Sequence, residues 1–347
     1  MHELRPLGRS GLLVSPLTLG TMTMANPGWG SDVAGSALVL DGYLEAGGNS
    51  LDTADVYAGG AGEELLGRLL AERRVRDGVV LATKYGFAAG GGAVSGGSGR
   101  AIMTRAVEGS LRRLQTDRID LFWMHLWDGF TPAEEVLHGM VDLVTAGKIR
   151  HYGFSNVPAW FATQAATLAR ANGLPGPVAV QLEYSLVSRD IEREHIDAAT
   201  ELGLGVVPWS PLAGGFLTGK YHRDQPIRAG SGRLSGANPF GDTKFTERNW
   251  EVLDVLRDVA GGLGRPLAQV AIAWLLGRRA VDTVLVGART PGQLDSALAA
   301  CDLTLPDDVR RRLDAAGAPD LGNPYGLFTQ EMVDALSGGG RRVRLTR

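Results

Sequence analysis

The chain has 347 residues, 44% of them hydrophobic and 21% charged, with a formal net charge of -3 at pH 7. That balance gives no hint of a nucleic acid or an anionic membrane as partner, and neither is expected, although residues 341–347 form a small basic tail. One cysteine, Cys301, excludes an intrachain disulfide and any CxxC metal or redox site.

The amino terminus, MHELRPLGRSG, carries charge where a signal peptide has its apolar core. No run approaches the ~18 to 20 apolar residues of a membrane span, so a cytoplasmic protein is expected. Residues 4–7 and 12–15, turned by 8–11, read as a tight hairpin. A first buried strand covers 16–20. Short apolar runs follow at 49–52, 79–84, 119–125, 151–155, 178–184, 205–209 and 283–286, each suited to a fully covered parallel strand. Between them lie helical periods at 35–45, 63–72, 102–114, 132–146, 158–171, 192–202, 266–276 and 291–300, with two extra helices at 248–260 and 306–315. In the fourth, Val136, Met140, Leu143 and Val144 make the stripe a helix needs to pack on a sheet.

Eight strand and helix alternations predict a (β/α)8 TIM barrel with an N-terminal hairpin and two extra helices. No G-x-G-x-x-G occurs, so the fingerprint of an open dinucleotide-binding sheet is missing. The spare residues fall in loops 85–100 and 210–248, both after strand C-termini, where barrels place function. One domain is expected over 1–347, with a Gly- and Pro-rich tail from Ala318 that lies across the barrel mouth or is loose.

Three consecutive strands end in chemistry. The run at 49–52 closes on Asp52, with Tyr57 in the Gly-flanked loop that follows; the next closes on Lys84 and the third on His125. Taken singly, Lys84 would be a solvated strand end and His125 a satisfied barrel histidine. Together on one rim they make a proton-donating site. Tyrosine titrates near 10 and is a reluctant acid, and an ammonium beside it favours the phenolate and makes it a usable one. A carboxylate such as Asp52 would keep Lys84 charged, and His125 would donate to a bound carbonyl oxygen. Such a site has no nucleophile and no metal set. It needs a partner that supplies the reducing equivalent.

From LGRSGLLVSPLTLGTM through DTADVY, ATKYG, the 119–125 strand, GFSN and PWSPLAGGFLTGK to VGART, the chain resembles the aldo-keto reductases over nearly its whole length. The resemblance implies a barrel that binds NADPH across its mouth and reduces an aldehyde or ketone, with Asp52, Tyr57, Lys84 and His125 as the catalytic tetrad and Tyr57 as proton donor. It places Ser155, Asn156 and Gln181 at the nicotinamide carboxamide and Trp209 on the nicotinamide face. Ser210, Leu212, Gly214 and Lys220 match the pyrophosphate segment. Gly287, Arg289 and Gln293 match the adenosine phosphate clamp, with Arg289 suited to a 2'-phosphate. Where the family often has Glu then Asn, this chain has Ser296 and Ala297. NADPH over NADH therefore rests on Arg289. Substrate choice is expected from Trp29, Tyr85, Phe87, Trp127 and Phe240, whose aromatic character favours a hydrophobic or ring-shaped carbonyl compound. Keto sugars, quinones and simple aldehydes stay open, as do a nicotinamide-binding regulatory subunit with little turnover and a barrel isomerase or lyase.

Overall fold

The computed structural model describes residues 1, 3–26, 30–88, 95–224, 233–235, 244–337, 339, 341, 342 and 344. A two-stranded antiparallel hairpin comes first, β1 (Arg5–Pro6) with β2 (Leu13–Val14). Eight parallel strands follow: β3 (Leu17–Gly20), β4 (Ser50–Asp52), β5 (Val80–Tyr85), β6 (Ile119–Met124), β7 (Ile149–Ser155), β8 (Ala179–Glu183), β9 (Gly205–Trp209) and β10 (Val284–Val286). Their order around the sheet is their order in the chain, with β10 returning to β3. A parallel bridge between Val206 and Val281 joins β9 to the segment before β10 and completes the ring. This is the (β/α)8 barrel that the alternation of runs predicts.

The first six crossovers carry α1 (Val33–Glu45), α2 (Ala61–Arg73), α3 (Arg100–Arg113), α4 (Ala133–Thr145), α5 (Ala159–Ala171) and α6 (His195–Leu202). Two helices, α7 (Glu247–Leu263) and α8 (Leu267–Leu276), lie between β9 and β10, and α9 (Pro291–Leu298), α10 (Asp307–Ala316) and α11 (Gln330–Ser337) come after. Helix starts are set by local chemistry. Asp32, Thr246 and Thr290 each accept from a backbone N–H of the first turn. Pro132, Pro158, Pro266 and Pro306 stand just before a first turn, where a missing N–H costs nothing. In α4, Val136, Leu137, Met140 and Leu143 form the buried face. Among the described residues no single helix is long and apolar enough to cross a membrane; α7 and α8 pass that test only as a pair bent by 98°. Most of α8 is buried in the core, which accounts for its apolar composition.

Strand alternation sorts the side chains. On β5, Ala82 belongs to the inner cluster with Leu121, Trp123, Ala179 and Val207, and the hairpin contributes Leu7 and Val14 to the same cluster. Trp123 fits because its neighbour on β7 has no side chain: a Cβ on Gly153 would stand 2.4 Å from Trp123 Cζ3 and 2.5 Å from Ala179 O. Gly153→Ala is therefore expected to cost about 1–3 kcal/mol by overpacking, read as a fall in the thermal midpoint. An unchanged midpoint would show that the tryptophan has room to move.

Two readings need adjusting. His125 lies one residue past β6, its N–H given to Tyr85 O at 2.9 Å. The tail is not all loop: α11 forms within it, and its near end is tied to the start of α6 through Tyr325 to Glu194 and Arg193 to Asp320 O.

Candidate active site

The C-terminal ends of β4 and β5 bring Asp52 and Lys84 together inside the barrel, both about 1% exposed. Lys84 Nζ donates to Asp52 Oδ1, to Thr53 O at 3.0 Å and to Tyr57 Oη at 3.2 Å. An ammonium has three protons, so these three acceptors account for all of them. Asp52 Oδ2 accepts from Gln181 Nε2 at 2.9 Å. Burial alone would lower the Lys84 pKa, and the Asp52 charge, with the hydrogen bonds to Asp52 and Tyr57, more than reverses this, so the amine sits above its ordinary value and stays charged. Tyr57 reaches the cluster from a tight turn in which Ala58 (φ +49°) and Gly59 (φ +66°) are left-handed. A non-glycine residue held there is a local strain the surrounding packing has to sustain.

The His125 ring meets Tyr57 edge-on at 6.0 Å and Phe87 edge-on at 4.7 Å between centroids. Its Nδ1 is buried with no hydrogen-bond partner. Burial, helped by the Lys84 charge, holds its pKa well below 6.5, so the ring is neutral at physiological pH. Asn156, left-handed at φ +51°, donates from Nδ2 to His125 O and to Ser155 Oγ, both at 2.9 Å, and its Oδ1 accepts from Trp209 Nε1 at 3.1 Å. Both amide protons are used. What Asn156 has left for a ligand is the second lone pair of Oδ1, so much of its work is to hold His125, Ser155 and Trp209 in place.

A cleft of about 580 Å³ runs between the segment after β9 and the start of α9. Ser210, Leu212, Gly214, Lys220, Gly287, Arg289 and Gln293, all expected from the sequence, line it. Ser31 Oγ and Thr23 Oγ1 donate to Arg289 O and Ala288 O, and Arg289 N–H to Gln293 Oε1, which fixes the turn bearing the guanidinium. Burial and then the nearby Arg289 charge lower the Lys220 pKa. Cations pressed together in a half-covered cleft are stabilised by an anion. Arg233 also lines the cleft, close enough to the Tyr57 oxygen for the two to interact electrostatically. The sequence reading missed Arg233, which sits in a Gly-rich loop with no periodicity to mark it. Its neighbour Leu234 packs on Gly214, where a Cβ would meet Leu234 Cδ2 at 2.8 Å.

The expected substrate-facing set divides. Phe87, 41% exposed, stands against His125 at the mouth. Tyr85 does not: it is fully buried, stacked on Phe122 at 5.1 Å, with its hydroxyl given to Ser98 O at 3.0 Å. The cause is the strand period, since the residue after inward-facing Lys84 faces outward. Trp127 packs on Phe161 and Trp160 at 5.9 and 5.2 Å and donates to Thr131 O at 3.2 Å. Trp29 and Phe240 lie outside the described residues. Among the described residues, no group of three or more His, Cys, Asp or Glu side chains is arranged to hold a metal.

Fold, site and relatives together define an oxidoreductase of the (β/α)8 barrel type. Residues 16–318 match the model of the Aldo/keto reductase family, and the chain belongs to that family. It is 33% identical over 336 residues to norsolorinic acid reductase B of Aspergillus parasiticus, covering 93% of this chain and 86% of that protein. It is 32% identical over 333 residues to an aryl-alcohol dehydrogenase [NADP(+)] of Phanerodontia chrysosporium, covering 92% and 86%. A probable voltage-gated potassium channel subunit beta of Oryza sativa subsp. japonica is 34% identical over 304 residues, covering 87% and 92%.

Proposed function

We propose that the protein reduces an aldehyde or ketone to an alcohol with NADPH, Tyr57 donating the proton. The observation that carries this is the saturated ammonium of Lys84. Because the phenol oxygen accepts from Lys84, its own O–H is turned away from the ammonium toward the barrel mouth. There it meets the oxygen of a carbonyl held against His125. The nucleotide supplies a hydride to the carbonyl carbon. As that bond forms, the C=O π pair moves onto oxygen, which takes the Tyr57 proton. Lys84 stabilises the phenolate left behind, and Asp52, Thr53 O and Gln181 keep the ammonium in place. His125, neutral and without a partner at Nδ1, donates from its other ring nitrogen to the same oxygen and holds the carbonyl in line.

In the cleft, Lys220, Arg233 and Arg289 fit the nucleotide's phosphates; on or just past β7, β8 and β9, Ser155, Asn156 and Gln181 fit the carboxamide and Trp209 the ring face. NADPH is favoured over NADH by Arg289, and the relative named for NADP(+) supports the same choice. Loss of one charged hydrogen bond costs about 1.5–3 kcal/mol. Arg289→Ala is accordingly expected to weaken NADPH about 10- to 100-fold and NADH by less than about threefold, measured by fluorescence titration. Equal losses would place recognition of the 2'-phosphate elsewhere. The name of the aryl-alcohol dehydrogenase points to aromatic substrates, and Phe87 at the mouth accords with a ring-bearing carbonyl compound. The test is NADPH oxidation with a panel of aryl aldehydes, quinones, keto sugars and simple aldehydes. The relative named as a channel subunit supports a second reading, a nicotinamide-binding regulatory protein. Tight NADPH binding with no turnover across the panel would favour it.

A further inference from the structure

A second set of buried charges lies beside the Tyr57 turn, and the reaction above does not use it. Glu63, in the first turn of α2, is fully buried. Its Oε1 accepts from Thr83 Oγ1 at 2.6 Å, and its Oε2 takes Arg113 Nε and Nη2, both at 2.7 Å. Arg113, at the end of α3, reaches this carboxylate by lying against the turn: a Cβ on Gly60 would stand 3.1 Å from Arg113 Cδ. Next to Glu63, a Cβ on Gly62 would stand 3.2 Å from Tyr57 O. Asp55, two residues before Tyr57, is 7% exposed and gives its N–H to Lys84 O at 3.1 Å. Its Oδ1 is buried with no hydrogen-bond partner. The charges facing Asp55 are Glu63 from α2, Arg113 from α3 and Lys84 from β5.

Lys84 is matched by Asp52, so one guanidinium is left for two buried carboxyl groups, and Glu63 engages it through two N–H donors. A second, unpaired carboxylate there is strongly disfavoured. We propose that Asp55 is held protonated and, with Arg113 and Glu63, forms a clamp that positions Tyr57 as proton donor, a role that rests on the reading of Tyr57 given above. The proton belongs on Asp55 because both Glu63 oxygens are already engaged. Burial and then the Glu63 charge raise the Asp55 pKa to about 7, which puts loss of that proton inside the working range. The sign follows. A carboxyl whose folded pKa lies above its unfolded value of about 3.9 favours the fold most below that value, and the benefit is lost as pH climbs from about 4 to about 7.

Asp55→Asn keeps the shape of a protonated carboxyl and removes its titration. The thermal midpoint of the variant minus that of the wild type is expected to rise by several degrees between pH 4.5 and 7.5 and then level off. With saturating NADPH, wild-type kcat for a reactive aldehyde should break near pH 7, and the break should be absent in Asp55→Asn. Arg113→Met should lower kcat about tenfold or more with NADPH affinity within twofold, and Arg113→Lys should recover part of it. A midpoint difference that does not vary with pH, or the same kcat profile in both proteins, overturns the proposal, as does loss of kcat and NADPH affinity in step in Arg113→Met. Should Arg113→Met not fold, the Asp55→Asn series decides. A wild type that reduces no aldehyde would end the reductase reading instead, while the midpoint series still tests the clamp's proton.

Discussion

Tyr57→Phe should lose about 10²- to 10⁴-fold in kcat for carbonyl reduction while binding NADPH as tightly as the wild type. The range is what a positioned general acid contributes, and phenylalanine keeps the ring that meets His125 edge-on. What goes is the oxygen that accepts from Lys84. The clean measurement pairs steady-state reduction with a nucleotide titration on the same preparation. Near-normal turnover would remove Tyr57 from the chemistry. Loss of nucleotide affinity alongside activity would mean that the substitution disturbed the turn, where Ala58 is already strained.

Lys84→Met should damage both rate and fold. Breaking a buried ion pair from one side costs about 3–5 kcal/mol, because the other charge is left uncompensated. Here that charge is Asp52, which would keep only the amide proton of Gln181. Reduction should fall at least as far as in Tyr57→Phe, since the phenolate loses the cation that stabilises it. The double variant Lys84→Met/Asp52→Asn separates the two effects: it should recover much of the stability and none of the activity, as thermal melts and assays in a double-mutant cycle would show. Recovery of activity in the double variant would mean that the ammonium has no part in the reaction.

How much of this was legible in the sequence follows from the range of the interactions involved. The barrel was readable because each strand is a short apolar run and each helix a local period, and one strand, 205–209, has the same bounds in both readings. The rim residues were readable because they end successive strands, and parallel strand ends share a rim. Tyr85 went to the wrong face for a local reason, the two-residue alternation that turns it away from Lys84. Arg233 escaped because loop positions carry no period. The contact of Arg113 with Glu63 spans 50 residues and joins two helices; nothing in either stretch alone announces it. The amide of Asn156 was visible as GFSN beside its partner Ser155, yet its ties to His125 and Trp209 were not, since those come from two other segments of the chain.

The hairpin at the amino-terminal end has a consequence for traffic. Leu7 and Val14 close the base of the barrel, and the gap between them and Asp52 is about 20 Å³, room for roughly a single water molecule. Among the described residues, then, Asp52 and Lys84 are shut off from the amino-terminal end of the barrel. Molecules that reach this cluster come from the carboxyl-terminal rim, and the hairpin works as a plug at the other end.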